Sequence, residues 1–138
     1  MNENDDFFTF IKTTVRLARA IQSEMYEGAK DRHITKLEID ILMVIWVSEH
    51  HQCKPADLMD FLKITKSQLS RSLSALGEKG FIEKQRDTKN KKFLIISLTK
   101  AGKTLVVKNA INVKSAMVDE MKKLSIDDRQ ALRKTINF

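Results

Sequence analysis

The hydrophobic period of this chain changes twice, and that change narrows the possible folds more than any other feature of the sequence. Up to Gly80, apolar residues recur every three or four positions, which is the period of amphipathic helices. Between Phe81 and Leu98, two runs rich in apolar residues flank the polar stretch RDTKNKK, a pattern typical of a β-hairpin. The helical period returns after Thr99. We therefore predict a mainly α fold with a small β-hairpin, in the order α-α-α-α-β-β-α-α.

Capping signals set the predicted bounds of the helices. Thr35 and Thr65 each precede a Glu or Gln by three positions, which is the spacing of a capping box. Pro55 suits the first turn of a helix, and Gly28 and Gly80 suit helix ends. The predicted helices cover residues 5–27 after an Asn4 cap, 35–48, 55–62 with Leu58, Phe61 and Leu62 inward, 65–79, 99–123, and a short last segment from Ser125 with Leu132 and Ile136 inward.

Length and composition favour a single domain over residues 1–138. The chain is 42% hydrophobic with only 4 Gly and 1 Pro, which is too apolar for a disordered segment. No stretch approaches the ~18 apolar residues of a membrane span, and the acidic start MNENDDFFTF lacks the pattern of a signal peptide. A single cysteine, Cys53, excludes an internal disulfide. These features predict a cytoplasmic protein without a membrane partner.

The positive charge of the chain is concentrated in its middle. The net charge is +7, yet residues 54–108 contain 13 Lys/Arg and 5 Asp/Glu, whereas the rest of the chain contains 12 and 13. A basic segment between nearly neutral flanks suits a module that binds a polyanion such as nucleic acid. A solvated, lysine-rich surface is the alternative, and charge alone leaves both interpretations open.

The fourth predicted helix separates its apolar residues from its polar ones. Leu69, Leu73 and Leu76 share one face, and short polar residues with one arginine lie on the other. Serine is only a middling helix former, which suggests another use for that face. Only Lys63 and Ile64 join this helix to the third, a length typical of helix-turn-helix DNA-binding motifs. The residues predicted to contact DNA here are Thr65, Lys66, Ser67, Gln68, Ser70, Arg71 and Ser74.

These side chains have different predicted roles. Arg71 can donate two hydrogen bonds to guanine or bind a phosphate, and the serines can approach phosphates and base edges without bulk. Gln68 can either read adenine or complete the capping box with Thr65, and its spacing favours the cap.

The tip of the predicted hairpin is basic. Its side chains can lie along the sugar-phosphate edge or enter a narrow minor groove. The alternative is a charged tip that protects an exposed hairpin from edge-to-edge pairing. Because the helix, the hairpin and the charge agree, we favour DNA contact. The predicted contact residues of the hairpin are Arg86, Lys89, Asn90, Lys91 and Lys92.

The segment DLMDFLKITKSQLSRSLSALGEKGFIEKQRDTKNKKFLIISLTKAGK, residues 57–103, resembles the core of MarR-type winged-helix transcriptional regulators. The matching motifs are T-K-S-Q-L-S-R at the start of the fourth helix, L-x-x-K-G-F-I at its end, and I-S-L-T-x-x-G after the hairpin. The resemblance implies a winged helix-turn-helix fold, a homodimer formed by interleaved terminal helices, a pseudo-palindromic operator in double-stranded DNA, and often a small-molecule effector. On this interpretation residues 35–98 form the DNA-binding lobe, and residues 5–27 and 99–138 form the dimerisation region.

The chain departs from that family in the wing. The family usually carries Asp-x-Arg there, and the corresponding positions in this chain are Asn90, Lys91 and Lys92. The ion pair that stiffens the family's wing therefore cannot form as such. Lys92 keeps the positive charge but lacks the planar guanidinium group of arginine.

The cluster His50, His51 and Cys53 is the other candidate for chemistry. Zinc and copper accept such ligands, but a site needs three or four that converge, and adjacent histidines rarely face one ion. We therefore predict no metal and no cofactor here, only a polar turn with a partly buried thiol. Redox sensing by Cys53 is a weaker alternative. The sequence also lacks GxSxG, P-loop, HExxH and dinucleotide-binding motifs, so we do not predict an enzyme.

The sequence thus predicts a sequence-specific DNA-binding transcriptional regulator, most simply a homodimeric repressor with release by a small ligand as an option. The alternative is a winged-helix adaptor that docks an acidic protein partner without sequence-specific DNA binding. The aromatic side chains are predicted to form the core and the dimer seam, with a ligand pocket as the alternative for some of them. They are Phe7, Phe8, Phe10, Tyr26 and Trp46.

Overall fold

The computed structural model describes residues 3–30 and 33–136, except for the side chain of Ala29. Its elements are α1 (Glu3–Lys30), α2 (Lys36–Val47), a 3-10 turn (Glu49–His51), β1 (Gln52–Cys53), α3 (Pro55–Leu62), α4 (Lys66–Glu78), β2 (Ile82–Arg86), β3 (Leu94–Leu98), α5 (Lys100–Lys122) and α6 (Ile126–Ile136). The predicted order of six helices around one hairpin is confirmed, and β1 is an addition to it. Within the described ranges, none of these helices has the length and apolarity that crossing a bilayer requires.

The chain divides into two compact units, which we call the terminal unit and the central unit. The terminal unit comprises Met1–Gly28 and Ala110–Phe138, and the central unit comprises Ala29–Asn109. The predicted DNA-binding lobe, residues 35–98, falls entirely within the central unit. Helix α5 begins in the central unit and continues in the terminal unit.

Helix α1 is longer than predicted at both ends. Asn4 lies inside the helix instead of capping it, because the helix begins at Glu3. Gly28, the predicted terminator, is also helical, and the helix continues to Lys30. Glycine costs only about 1 kcal/mol relative to alanine within a helix, so a long helix can pass through it when the flanking residues are good helix formers.

The core of the central unit is built around α2. Its run IDILMVIWV is apolar nearly all round, but only one side of the helix is fully buried, while Met43, Val44 and Trp46 are half-buried and Val47 is exposed. Leu58 of α3, Leu76 of α4 and Ile96 of β3 pack into the same core, and each is completely inaccessible to solvent. Because burying one such side chain contributes about 1.5–3 kcal/mol, this cluster holds α4 and the hairpin in place. The side chains of α2 in the core are Ile39, Ile41, Leu42 and Ile45.

The three strands form one antiparallel sheet in the order β1-β3-β2. Strands β2 and β3 form the predicted hairpin, paired from Ile82 with Leu98 to Arg86 with Leu94. The added strand β1 is only two residues long and pairs with β3. A two-residue strand carries no detectable alternation of apolar and polar residues, so the sequence predicts a turn at this place. The preceding turn is made by His50 and His51, which both adopt left-handed backbone conformations.

Two apolar side chains that the sequence predicts to be buried are exposed in the chain. Phe61, at the end of α3, is 69% exposed, and Ile136, at the end of α6, is 63% exposed, while Leu132 is half-buried. Helical spacing shows which residues share a face, but it does not show how far the core extends along that face. At both positions the apolar face of the helix extends beyond the end of the core.

Two glycines fix the junctions around the hairpin. Gly80 follows α4 with φ +79, the left-handed conformation predicted for the end of that helix. Gly102, in the first turn of α5, lies so close to the Phe81 carbonyl that a Cβ atom there would overlap it. Thr99 caps α5 as predicted, since its Oγ1 accepts a hydrogen bond from the Gly102 N–H at 3.1 Å and donates one to the Gly80 carbonyl at 2.6 Å.

Candidate nucleic-acid interface

The start of helix α4 is fixed by the predicted capping box. The Gln68 N–H donates to Thr65 Oγ1 at 3.1 Å, and the Thr65 N–H donates to Gln68 Oε1 at 2.9 Å. The capping role of Gln68 is therefore confirmed. Because its carbonyl oxygen is occupied, Gln68 can offer a base only its amide nitrogen, whereas reading adenine takes both groups.

The two faces of α4 have the orientation that the sequence predicts. Leu69, Leu73 and Leu76 are buried and anchor the helix to the core. The polar side chains on the opposite face are exposed, and Arg71 makes no ion pair with any described residue. This face therefore presents hydroxyl groups and an unpaired guanidinium group to solvent. Its exposed members are Ser67, Ser70, Arg71 and Ser74.

The connection from α3 to α4 is short because one lysine adopts an unusual backbone conformation. Lys63 ends α3 with φ 54 and ψ 47, and its N–H donates to the Met59 carbonyl. Ile64 follows, and Thr65 begins the cap of α4. The left-handed residue turns the chain within two positions, which produces the helix-turn-helix geometry expected from the sequence.

The tip of the hairpin is ordered by bonds within the turn. The Asp87 N–H donates to the Phe93 carbonyl at 2.9 Å, and the Phe93 N–H donates to the Asn90 carbonyl at 3.0 Å. Two side chains brace the turn: Asp87 Oδ1 accepts from the Lys89 N–H, and Asn90 Oδ1 accepts from the Lys92 N–H, both at 3.1 Å. Asn90, which stands where the resembling family has Asp, thus holds the backbone of the turn in place.

The positive side chains of α4 and the hairpin are exposed and make no ion pair within the described part of the chain. Asp87, the acidic residue of the turn, is engaged with the backbone of Lys89. These cations are consequently free to interact with an external anion. They are Lys66, Arg71, Lys84, Arg86, Lys89, Lys91 and Lys92.

Helix α4 is also tied at its C-terminal end, by an ion pair that the sequence does not reveal. Lys79 Nζ lies 2.7 Å from Glu38 Oε2 and 2.8 Å from the His33 carbonyl oxygen. The Glu38 side chain is only 6% exposed. The two residues are 41 positions apart, so no local pattern predicts their contact. An open hollow of about 330 Å³ adjoins this region and is lined by Thr35, Leu37, Glu38, Gln68, Arg71 and Ser72.

The His50–His51–Cys53 segment has a structural role in the chain. The His51 ring stacks on Trp46 at 4.2 Å between ring centres, and its Nδ1 lies 2.6 Å from the Trp46 carbonyl oxygen. Burial, aided by the Asp57 charge, raises the pKa of the Cys53 thiol to about 11, which disfavours the reactive thiolate. Among the described residues, no three His, Cys, Asp or Glu side chains form a group that could hold a metal ion.

A family model for winged helix DNA-binding domains matches residues 34–102, half of the chain. The chain belongs to this family. In the winged helix, α3 and α4 form the helix-turn-helix, α4 stands in the position of the recognition helix, and the β2–β3 hairpin is the wing. The matched residues include every residue predicted to contact DNA, from Thr65 to Lys92.

The proteins to which this chain is similar include regulators of transcription. The HTH-type transcriptional repressor YetL of Bacillus subtilis is 28% identical over 72 residues, which span 52% of this chain and 43% of that repressor. The crystal structure of AbsC, a MarR family transcriptional regulator from Streptomyces coelicolor, superposes with a TM-score of 0.68 at 18% identity, over 91% of this chain and 86% of AbsC.

A mutant of MarR from E. coli complexed with operator DNA superposes with a TM-score of 0.66 at 18% identity, over 99% of this chain and 96% of that one. At this level of identity the likeness concerns the fold. The predicted resemblance is confirmed: this winged helix has the fold of MarR family regulators.

Proposed function

We propose that this winged-helix protein is a homodimeric, sequence-specific DNA-binding regulator of transcription, most simply a repressor that blocks its operator sterically. The observation that carries the proposal is the exposed Ser–Arg face of α4 together with the unpaired cations of the wing. A rigidly held helix with short polar groups and a free guanidinium suits the major groove, and a cationic hairpin suits the adjacent backbone.

The contacting groups have distinct proposed roles. Arg71 donates to guanine or to a phosphate, and Ser67, Ser70 and Ser74 approach phosphates and base edges. On the wing, Lys91 and Lys92 contact the sugar-phosphate backbone near the minor groove. Thr65, Lys66 and Gln68 at the start of α4, and Arg86, Lys89 and Asn90 on the wing, complete the proposed interface.

The homodimer is supported by apolar side chains that the terminal unit leaves exposed. Phe8 is 67% exposed, and each of the three helices of the unit carries further exposed apolar residues. An apolar surface shared by several helices usually marks an interface. We propose that a second copy of the chain covers it. The exposed residues are Phe7, Phe8, Ile11 and Val15 of α1, Ile111, Val118 and Met121 of α5, and Ile126 and Ile136 of α6.

Release by a small-molecule effector is supported by the family resemblance alone, and it would show as a rise in melting temperature when the effector binds. A cytoplasmic location follows from the proposed function, since the regulator must reach chromosomal DNA. A regulator of this kind performs no catalysis of its own.

Selection from a randomised duplex library, followed by footprinting, tests the proposal. We expect two half-sites about one helical turn apart, because a two-fold dimer presents two recognition helices. Salt-sensitive binding with no sequence preference would instead support the alternative, an adaptor whose basic face docks an acidic protein.

The substitution Arg71→Ala tests the recognition helix directly. We expect specific affinity to fall by about 1–3 kcal/mol in a gel-shift titration, because a bidentate or phosphate contact is lost. Arg133→Ala, which removes an exposed arginine of the terminal unit, is the matched control and should bind normally. Equal affinities for the folded Arg71→Ala protein and the wild type would refute the assignment of Arg71.

A further inference from the structure

The root of the wing contacts the helix-turn-helix through a cation and an aromatic ring. Lys54 Nζ lies 3.9 Å from the centre of the Phe93 ring. Lys54 sits between β1 and α3, and Phe93 immediately precedes β3. The contact therefore joins the start of the first helix of the motif to the returning strand of the wing, in addition to the β1–β3 pairing.

The backbone of Phe93 closes the turn of the wing. Its carbonyl accepts from the Asp87 N–H and its N–H donates to the Asn90 carbonyl, so both of its polar groups are used within the turn. A restraint on the Phe93 ring is consequently a restraint on the turn that carries Lys91 and Lys92.

Lys54 is available for this contact. It makes no ion pair with any described residue, and the neighbouring Asp57 carboxylate accepts instead from the backbone N–H of Lys54. Lys54 is half-buried, and Phe93 is 43% exposed, so the ammonium group is partly withdrawn from water above the ring. These are the conditions in which a cation–π contact contributes.

We propose that Lys54 and Phe93 are positioning residues that fix the wing relative to the recognition helix. Without the contact, the basic tip samples more positions and loses more conformational freedom on binding the DNA backbone. This inference rests on the proposed DNA-binding function.

The contact itself can be measured without DNA. The ring current of Phe93 should shift the Lys54 side-chain methylene resonances upfield in the NMR spectrum, and Phe93→Leu should abolish the shift. The amide of the residue at position 93 should also exchange faster with solvent in that variant, because the turn is less restrained. Unshifted Lys54 resonances in the wild type would overturn the proposal.

Its effect on DNA binding is tested by fluorescence anisotropy with a fluorescein-labelled random-sequence duplex at fixed salt. Lys54→Met and Phe93→Leu should each weaken binding about two- to fivefold, and the double variant should bind no more weakly than either. Lys54→Arg and Phe93→Trp, which preserve a cation and a ring, should bind like the wild type. Phe61→Leu, which alters an exposed phenylalanine of α3, is the control and should also bind normally.

The alternative is that Lys54 contacts a phosphate directly. In that case Lys54→Met alone weakens binding, the neutral change Phe93→Leu has no effect, and the positioning role is overturned while DNA binding stands. If the wild-type chain binds no duplex at all, the proposed function and this role fail together, and the NMR shift then reports only the contact.

Discussion

The terminal and central units use charge in opposite ways. The terminal unit contains 9 Lys/Arg and 9 Asp/Glu, and Glu120 pairs there with both Arg16 and Lys123 at 3.3 and 3.0 Å. The central unit contains 16 Lys/Arg and 9 Asp/Glu, so it carries the whole net charge of +7. Its cations on α4 and the wing make no ion pair with a described residue.

The distribution of apolar side chains is reversed. Among the described residues, the central unit encloses its core around α2 and exposes four large apolar side chains, whereas the terminal unit exposes ten, distributed over all three of its helices. The central unit thus has positive charges without ion-pair partners, and the terminal unit has apolar side chains exposed to solvent. This contrast supports the two proposed partners, DNA for the central unit and an apolar protein surface for the terminal unit.

The apolar surface of the terminal unit should respond most strongly to substitution. Phe8→Asp should raise the dissociation constant of the proposed homodimer about a thousandfold, which is about 4 kcal/mol, because it places a charge in the proposed desolvated interface. Analytical ultracentrifugation measures it. Val47→Asp changes an equally exposed apolar residue of the central unit and should leave the dimer intact. If both substitutions raise the dissociation constant equally, the terminal unit does not form the dimer interface on its own.

The next effect concerns the ion pairs. Lys79→Met should lower the free energy of unfolding by about 3 kcal/mol, because it leaves the buried Glu38 carboxylate without its partner. Arg16→Met breaks the exposed pair of the terminal unit and should have almost no effect. Urea titration of both variants compares them. If the Lys79→Met and Arg16→Met variants are equally stable, the Glu38 carboxylate does not depend on Lys79 for its stabilisation.

The cations of the wing should make DNA binding more sensitive to salt concentration. Lys92→Ala should reduce the slope of log K against log salt concentration by about one, since one phosphate contact is lost. Lys114→Ala removes an exposed lysine of the terminal unit and should leave the slope unchanged. An unchanged slope for the first variant would exclude Lys92 from the interface.

The two units should also differ slightly in how their stability responds to acid. A hydrogen bond from Lys123 lowers the pKa of Glu120, so its contribution to stability is complete above pH 4.5 and is lost as the pH falls through the lowered value. Burial raises the pKa of Asp40 in the central unit, although Lys36 opposes the rise. The stability contributed by protonated Asp40 is therefore lost as the pH rises from 3.8 through the raised value.

Melting curves between about pH 3 and pH 7 distinguish these two groups. Glu120→Gln should lower the melting temperature slightly near neutral pH and not in acid, whereas Asp40→Asn should raise it near neutral pH. Changes of the same sign in both variants would contradict the assignment of opposite environments.

The sequence predicted those features of the molecule that depend on neighbouring residues. The capping box of Thr65 and Gln68, the left-handed Gly80 and the exposed serine face of α4 each follow from spacings of a few positions. The wing and its basic tip follow in the same way from the change of period after Gly80.

Features that depend on distant residues could not be predicted. The pairing of Lys79 with Glu38 and the contact of Lys54 with Phe93 join residues about 40 positions apart, and nothing local identifies either partner. Likewise, the exposure of Phe61 depends on where the core ends in space. Every residue that the sequence predicts to contact DNA nevertheless lies within the winged helix domain, because the motifs that contain these residues are local.

The overlap that any Cβ atom at position 102 would make with the Phe81 carbonyl has an evolutionary consequence. The carbonyl belongs to the backbone and cannot move aside as the end of a flexible side chain can. Even alanine at this position would therefore push the start of α5 away from Phe81, the residue that precedes β2. In a library randomised at this position, selection for folded protein should recover glycine alone. If alanine is also recovered, the start of α5 can move away from Phe81 without unfolding the protein.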